Sequence, residues 1–403
     1  MGFLSLVAFG LSPNFVFVAL NPRFIKSLKI ILMRSILFNA IAARHGGALI
    51  VHKAMIASID FKILDVKVLV VTNNDLAESE LRLEVNPAVT VIRTPRFLRS
   101  IAVYIQPILI WYYAWKYMAA MVVSQNVLIP FVRVPQMVYH INVFNFLSND
   151  GLRSKLDLLK QSLRQRASRK ALLKANVNVF ESEYLHRLAI AAGLTPKNGY
   201  VVYIGIDGRG FKKIQEIVEH ENREPTLVAV SSQNPHKRNY QLLQILDALY
   251  EIRPDVNWRV KLYGAISEIR VPSELDSSLS YMQKHVQFLG YATQDQISET
   301  LDTSLCLVCN SKIESFCTVA LEAMKRGTPA LVSPHTSMPE SVGYAGFVYD
   351  QDSPIQAADE IIKLFEDRSY FTERAEKSLE FSMAMTWKKS GVRFTQIIKD
   401  YFF

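Results

Sequence analysis

The segment Glu314-Ser-Phe-Cys-Thr-Val-Ala-Leu-Glu322, continuing Ala-Met-Lys-Arg-Gly-Thr-Pro-Ala-Leu-Val332, is the most informative stretch of this 403-residue chain. It follows an apolar run, Leu305–Cys309, that reads as a buried strand, and it ends in another, Pro329–Val332. Between them a helix is expected near 318–326, stopped by Gly327 ahead of Pro329. Strand, loop, helix and strand form the repeating unit of a parallel α/β sheet. Glu314 stands in the loop, and Glu322 stands about one turn into the helix. After Ser315, the backbone N–H groups of Phe316, Cys317 and Thr318 make a helix N-terminus whose partial positive charge suits a diphosphate. One carboxylate on each side would accept from hydroxyls of a sugar and a ribose. The plain alternative is a loop glutamate and a surface glutamate with no shared ligand.

The same alternation runs outward in both directions. Thr226–Val230, Val260–Tyr263 and Val286–Leu289 read as further strands, with helices near 238–252, 273–284, 294–300 and 355–366. Upstream, a short strand opens at Met33, and Val66–Thr72, Val89–Arg93, Met137–Ile141 and Val177–Phe180 follow. Two open α/β sheets fit, with the ligand site at strand carboxyl ends in the cleft between them. At roughly 150 residues per domain the length also suits two. Half the residues are hydrophobic and 21% are charged, which excludes a disordered or low-complexity chain.

Charge is divided unequally. Residues 1–200 hold 24 Lys and Arg against 10 Asp and Glu, whereas residues 201–403 hold 22 against 27. Only the first half suits an anionic partner. Within it a helix from about Gly151 to Lys174 carries a stripe of Leu152, Leu156, Leu159, Leu163, Ala167 and Ala171. A basic face is expected opposite, built on Arg153, Lys155, Lys160, Arg164, Arg166, Arg169, Lys170 and Lys174. That face is either solvated or docked on anionic lipid; no aromatic residues interleave with it, so nucleic acid is not expected as a partner. The apolar stretch Ile101–Met121 contains Gln106, Pro107 and Lys116, and reads as a core or interfacial helix rather than a span. Met1–Leu32 is apolar but interrupted by Pro13, and three readings stay open for it: a dispensable extension, a membrane contact, or ordinary fold. Cys306, Cys309 and Cys317 are odd in number, against a disulfide framework and for a reducing compartment. Cys306 and Cys309 lie three apart on one strand and face opposite ways, so core thiols are expected and no metal.

Glu314–Val332, with Pro339-Glu340-Ser-Val-Gly-Tyr-Ala-Gly346 after it, resembles the signature of retaining glycosyltransferases of family four. The resemblance implies the GT-B fold, two Rossmann-like domains facing across a cleft. It implies that Glu314 contacts the donor sugar and Glu322 the nucleotide ribose. Asn234-Pro-His-Lys237 resembles the family's phosphate-binding loop, which gives Lys237 the donor diphosphate. Gly205-Ile-Asp207 resembles the Gly-Val-Asp at the interdomain hinge. Tyr139-His140, at a strand end, resembles the histidine-bearing strand end that contacts donor. His45-Gly46-Gly47 opens a helix after the first strand; glycines there let backbone N–H groups approach a phosphate, and their place in the matching order favours that role over a plain turn.

Several positions depart from the family's pattern. Ser231 stands where an arginine is common, so charge neutralisation falls to Lys237 alone or with Arg238. Ser315-Phe-Cys317 replaces Gly-Phe-Gly. Asp350 and Asp352 superficially resemble a metal-binding pair, but Asp352-Ser-Pro354 reads as a helix cap, and no metal or other cofactor is expected. The expected organisation is therefore an extension at 1–32, an acceptor-side domain at 33–200 closed by a helix at 387–403, and a nucleotide-sugar domain at 201–386. The expected function is transfer, with retention, from a nucleotide sugar to a glycan or lipid-linked acceptor in cell-envelope polysaccharide synthesis, in the cytoplasm and at an anionic membrane surface. A nucleotide-sugar epimerase and a non-catalytic sugar-nucleotide binding module are the alternatives.

Overall fold

A computed structural model describes residues 34–43, 46–73, 89–147, 155–217, 219–265, 267–275 and 277–402. Met1–Leu32, His45, Leu152 and Arg153 lie outside them, as do the side chains of Lys155 and Leu156. The first series of elements is β1 (Ser35–Ala40), α1 (Gly46–Ser58), α2 (Phe61–Leu64), β2 (Lys67–Thr72), β3 (Val89–Arg93), α3 (Ala102–Lys116), β4 (Ala119–Gln125), β5 (Gln136–His140), α4 (Lys155–Lys174), β6 (Val177–Phe180), α5 (Glu183–Ala191) and β7 (Gly199–Val201). These strands form a 7-stranded sheet in the order β3-β2-β1-β4-β5-β6-β7, and every pairing in it is parallel. Helices cover both faces, which is why β1 is buried along its whole length.

Alternation assigns the two sides. Ile36, Phe38, Val68, Val70, Met121 and Val123 face one core, shared with Val51, Met55 and Ile56 of α1. Leu37, Leu69, Val71 and Val122 face the other, under Ala102, Ile110 and Ala114 of α3. Val138 of β5 packs with Ala171 of α4 and with Ala175 just past its end. Ser124 pairs with Val138, which places Val122 and Val138 on the same side, so α3 and α4 share one face of the sheet.

The second series is β8 (Glu224–Val230), α6 (Tyr240–Ile252), β9 (Arg259–Tyr263), β10 (Val286–Gly290), α7 (Gln294–Thr303), β11 (Ser304–Cys309), α8 (Thr318–Met324), β12 (Ala330–Val332), α9 (Met338–Val342), β13 (Phe347–Val348), α10 (Pro354–Glu366) and α11 (Arg368–Ala384). It builds a 6-stranded sheet in the order β10-β9-β8-β11-β12-β13. A last helix, α12 (Trp387–Phe402), returns to the first sheet, where Phe394, Ile397 and Ile398 join the core beside α1. The outgoing and returning chains meet as a parallel bridge, Ile206 to Thr386. The Ile206 amide donates to the Met385 carbonyl at 2.9 Å, and the Trp387 amide to the Ile206 carbonyl at 3.2 Å. Gly205 permits this crossing, because a Cβ there would lie 2.1 Å from the Trp387 nitrogen.

Four expectations need correction. Ile101–Met121 is not one helix: it ends at Lys116, turns through Met118 at φ 48°, and enters β4 at Ala119. The β-branched pair Val122-Val123 suits a central strand better than a helix. On α4, Leu159 and Leu163 are 58% and 55% exposed, so the middle of the expected stripe faces solvent, although Ala171 at its end is buried. Polar side chains turn inward instead, with Gln165 Nε2 donating to the Leu147 carbonyl at 2.7 Å and Ser168 Oγ to that of Asn126 at 3.1 Å. The stretch near 273–284 is a 3₁₀ helix over Ser277–His285. The cap position of α10 is Ser353 rather than Asp352, with no side-chain bond, although Pro354 does open the helix.

Candidate active site

Lys237 is delivered by the loop leaving β8. A 3₁₀ turn, Pro235–Lys237, is closed by Arg238 in the left-handed region at φ 47°. The Lys312 amide donates to the His236 carbonyl at 2.7 Å, fastening this turn to the loop that leaves β11. There Lys237 Nζ meets Glu314 Oε2 at 2.5 Å, with the two side chains 21% and 24% exposed. Partial burial screens the pair less than an open surface contact would be, at a desolvation cost to both charges. Burial opposes the ammonium, but the neighbouring Glu314 carboxylate outweighs it, and Lys237 titrates above ordinary lysine. Glu314 is fixed through its backbone: its amide donates to Thr336 Oγ1 at 3.1 Å, and its carbonyl accepts from Ser337 Oγ at 3.0 Å.

The first domain closes on this pair. The Val143 amide donates to Ser315 Oγ at 3.1 Å, and the Phe144 ring stands edge-on to His236 at 5.4 Å. Phe316 is buried in the first domain's core, 5.8 Å from Tyr203. Glu181 completes the seam: it is 1% exposed and hydrogen-bonded to Ser315, and its Oε1 has no partner among the described residues. Burial drives its carboxyl well above the usual range, against the Ser315 bond and helped by the charge on Glu314. Glu340 reaches across as well, accepting from the Glu183 and Tyr184 amides at 2.8 and 2.5 Å, where it caps α5.

The other expected residues are placed separately. The Thr318 amide donates to the Phe316 carbonyl at 3.1 Å, so of the three amides expected at the start of α8 it is already committed. Glu322 is held by Lys325 at 2.6 Å and by Gln294 Nε2 at 3.3 Å. Arg238 donates to Gln351 Oε1 and not to Glu314. Gly46 and Gly47 open α1 just past β1. Cys306 packs on one side of its sheet and Cys309 and Cys317 on the other, with their sulfurs 3.5 Å apart.

His140 is fully buried between Phe180, stacked at 5.0 Å, and Phe146 at 5.8 Å. Asn178 spends both N–H groups on the Leu172 and Lys197 carbonyls. Its Oδ1 therefore faces His140 Nε2, at 2.9 Å, and that nitrogen carries the proton. Nδ1 has no partner among the described residues. Burial lowers the imidazole to about 4, so it is neutral at neutral pH.

Sequence reasoning missed Glu181, Glu340 and the Val143-Phe144 contact. For Glu181 a signal existed: alternation along β6 continued by one residue puts it on the side of Val177 and Val179. No local pattern could have announced the contact at Val143, which depends on how the two domains meet.

Residues 210–379 match the profile of the family described as glycosyl transferases group 1. Among curated relatives, the D-inositol 3-phosphate glycosyltransferase of Corynebacterium glutamicum is 25% identical over 174 residues, 41% of this chain and 41% of its own. The N-acetyl-alpha-D-glucosaminyl L-malate synthase of Bacillus anthracis is 29% identical over 181 residues, 44% of this chain and 45% of its own. The matched stretch thus spans less than half the length of these relatives. Solved structures reach further. Sucrose-phosphate synthase from Thermosynechococcus elongatus superposes with a TM-score of 0.68 at 15% identity, covering 91% of this chain and 99% of that one. Anabaena HepE, solved with UDP and glucose, gives 0.62 at 18% identity, covering 90% and 99%. The matched segment therefore sits within a GT-B fold that takes in the first domain too. Among the described residues no helix is long and apolar enough to cross a membrane.

Proposed function

We propose that the protein is a retaining glycosyltransferase moving a sugar from a nucleoside diphosphate donor to a glycan or lipid-linked acceptor in cell-envelope polysaccharide synthesis. The observation that carries the reading is the Lys237–Glu314 pair at the strand ends between the two domains. A donor diphosphate would take Lys237 Nζ from Glu314, releasing the carboxylate to accept from a sugar hydroxyl. As the bond to the anomeric carbon breaks, the departing diphosphate gathers negative charge. Lys237, the Phe316 and Cys317 amides ahead of α8 and the Gly46-Gly47 amides are suited to meet that charge. Glu322, freed from Lys325, would accept from the ribose hydroxyls, and His140 Nδ1 is an acceptor waiting behind the seam. No carboxylate is assigned as a covalent nucleophile; retention is supported by resemblance to the family. Since HepE is solved with UDP, a UDP-sugar is the first donor to try.

Thermal stabilisation by a panel of nucleotide sugars identifies the donor, because a ligand that binds only the folded state raises its stability with the logarithm of concentration. Turnover should then be abolished in Glu314→Ala while nucleotide binding persists. Conversion of donor without any acceptor would point to an epimerase. Binding without any turnover across acceptors would point to a non-catalytic module.

A further inference from the structure

We propose that α3 and α4, on one face of the first sheet, form a docking face for an anionic lipid bilayer surface. On α3 only one side is covered. Ala102, Ile110 and Ala114 are buried, while Tyr104 is 83%, Ile108 62%, Trp111 46% and Trp115 70% exposed. Those four follow helical spacing and make one continuous stripe. Single apolar residues at a surface are ordinary, but a row with two tryptophans needs an occupant. Lys116 closes the stripe, its ammonium lying 5.7 and 5.5 Å from the Tyr112 and Tyr117 rings. An apolar strip edged by aromatic and basic side chains is the composition of a helix lying in the plane of an interface.

The neighbouring α4 adds charge on the same side of the sheet. Its exposed Leu159, Leu163 and Leu173 alternate with Arg166, Arg169, Lys170 and other basic residues. Across residues 85–180 the sequence holds 13 Lys and Arg and only Asp150 and Asp157 as acids. That balance selects the occupant. A second copy of the chain would set like charges against each other, whereas an anionic bilayer offers an apolar layer for the tryptophans beneath negative headgroups. With 15 residues, α3 is too short to cross the roughly 20-residue hydrocarbon core, so it lies on the surface.

The test is co-sedimentation of the full chain with vesicles of equal parts phosphatidylcholine and phosphatidylglycerol, without donor or acceptor. Its result is therefore independent of whether the proposed transfer reaction is right. Binding is expected at low salt, with release as salt rises, a blue shift of tryptophan emission, and little binding to phosphatidylcholine alone. The double variant Trp111→Ser with Trp115→Ser should lose the blue shift. Arg166→Glu with Arg169→Glu should bind at least about tenfold more weakly. All of these side chains face solvent, so unchanged thermal unfolding would confirm intact folding in both variants. Equal binding by wild type and both variants would overturn the proposal. So would a wild-type dimer that Trp111→Ser dissolves, because the stripe would then belong to a second copy.

Discussion

Lys237 and Glu314 neutralise each other across 2.5 Å, so replacing either leaves a partly buried charge as well as a missing contact. Lys237→Ala is expected to cut kcat about 10²–10³-fold, the usual loss when one donor to a developing anion is removed; steady-state kinetics with the identified donor would measure it. Glu181 makes a prediction of another kind. Its folded-state titration is raised, so its contribution is full below the unfolded carboxyl range and is lost as pH rises through the raised value. The difference in thermal stability between wild type and Glu181→Gln should shift against wild type as pH rises above the unfolded carboxyl range; a difference that does not change with pH would remove Glu181 as a titrating group of the seam. The contrast between these residues shows what the chain discloses. Lys237 and Glu314 stand in short motifs whose residue types announce a diphosphate and a hydroxyl. Glu181 stands in Phe-Glu-Ser-Glu, where only its burial distinguishes it from Glu183.

Among the elements, α5 depends on a residue from the other domain. Glu340→Ala would remove the acceptor of two amides at its start and is expected to cost about 1–2 kcal/mol, seen as a lower unfolding midpoint. Packing of α12 on α1 is tighter still, because a Cβ at Gly391 would lie 1.9 Å from the Ser58 carbonyl oxygen. Gly391→Ala must push the two helices apart and should cost at least about 2 kcal/mol by denaturant titration. Apolar runs marked most strands to within a residue or two, since a strand buried on both faces leaves little room for polar side chains. β4 escaped because its first residues continue the apolarity of α3, and only the left-handed turn at Met118 separates them. The inward side of α4 escaped because a glutamine and a serine, Gln165 and Ser168, bond the loops beneath it.

For the molecule as a whole, acid is the exposed weakness. His52 and His140 are buried and each lowered to about 4 by desolvation. An unfolded histidine binds its proton near pH 6.5, so both stabilise the fold above that pH and are lost as pH falls toward 4. Each contributes roughly 3 kcal/mol to that loss. Unfolding midpoints measured from pH 7 to 4 should drop steeply, and His52→Leu should remove about half of the drop. The unequal charge of the two halves was visible in composition, and the structure puts much of its basic share on one face of one sheet. The other feature at this scale is the pair of crossings joined between Ile206 and Thr386. A domain hung on one strand can swivel in any direction, but one hung on two strands bonded side by side bends across that ribbon and resists twisting. Any opening of the cleft would then follow close to a single arc, and closing would bring Ser315 back to the same Val143 amide.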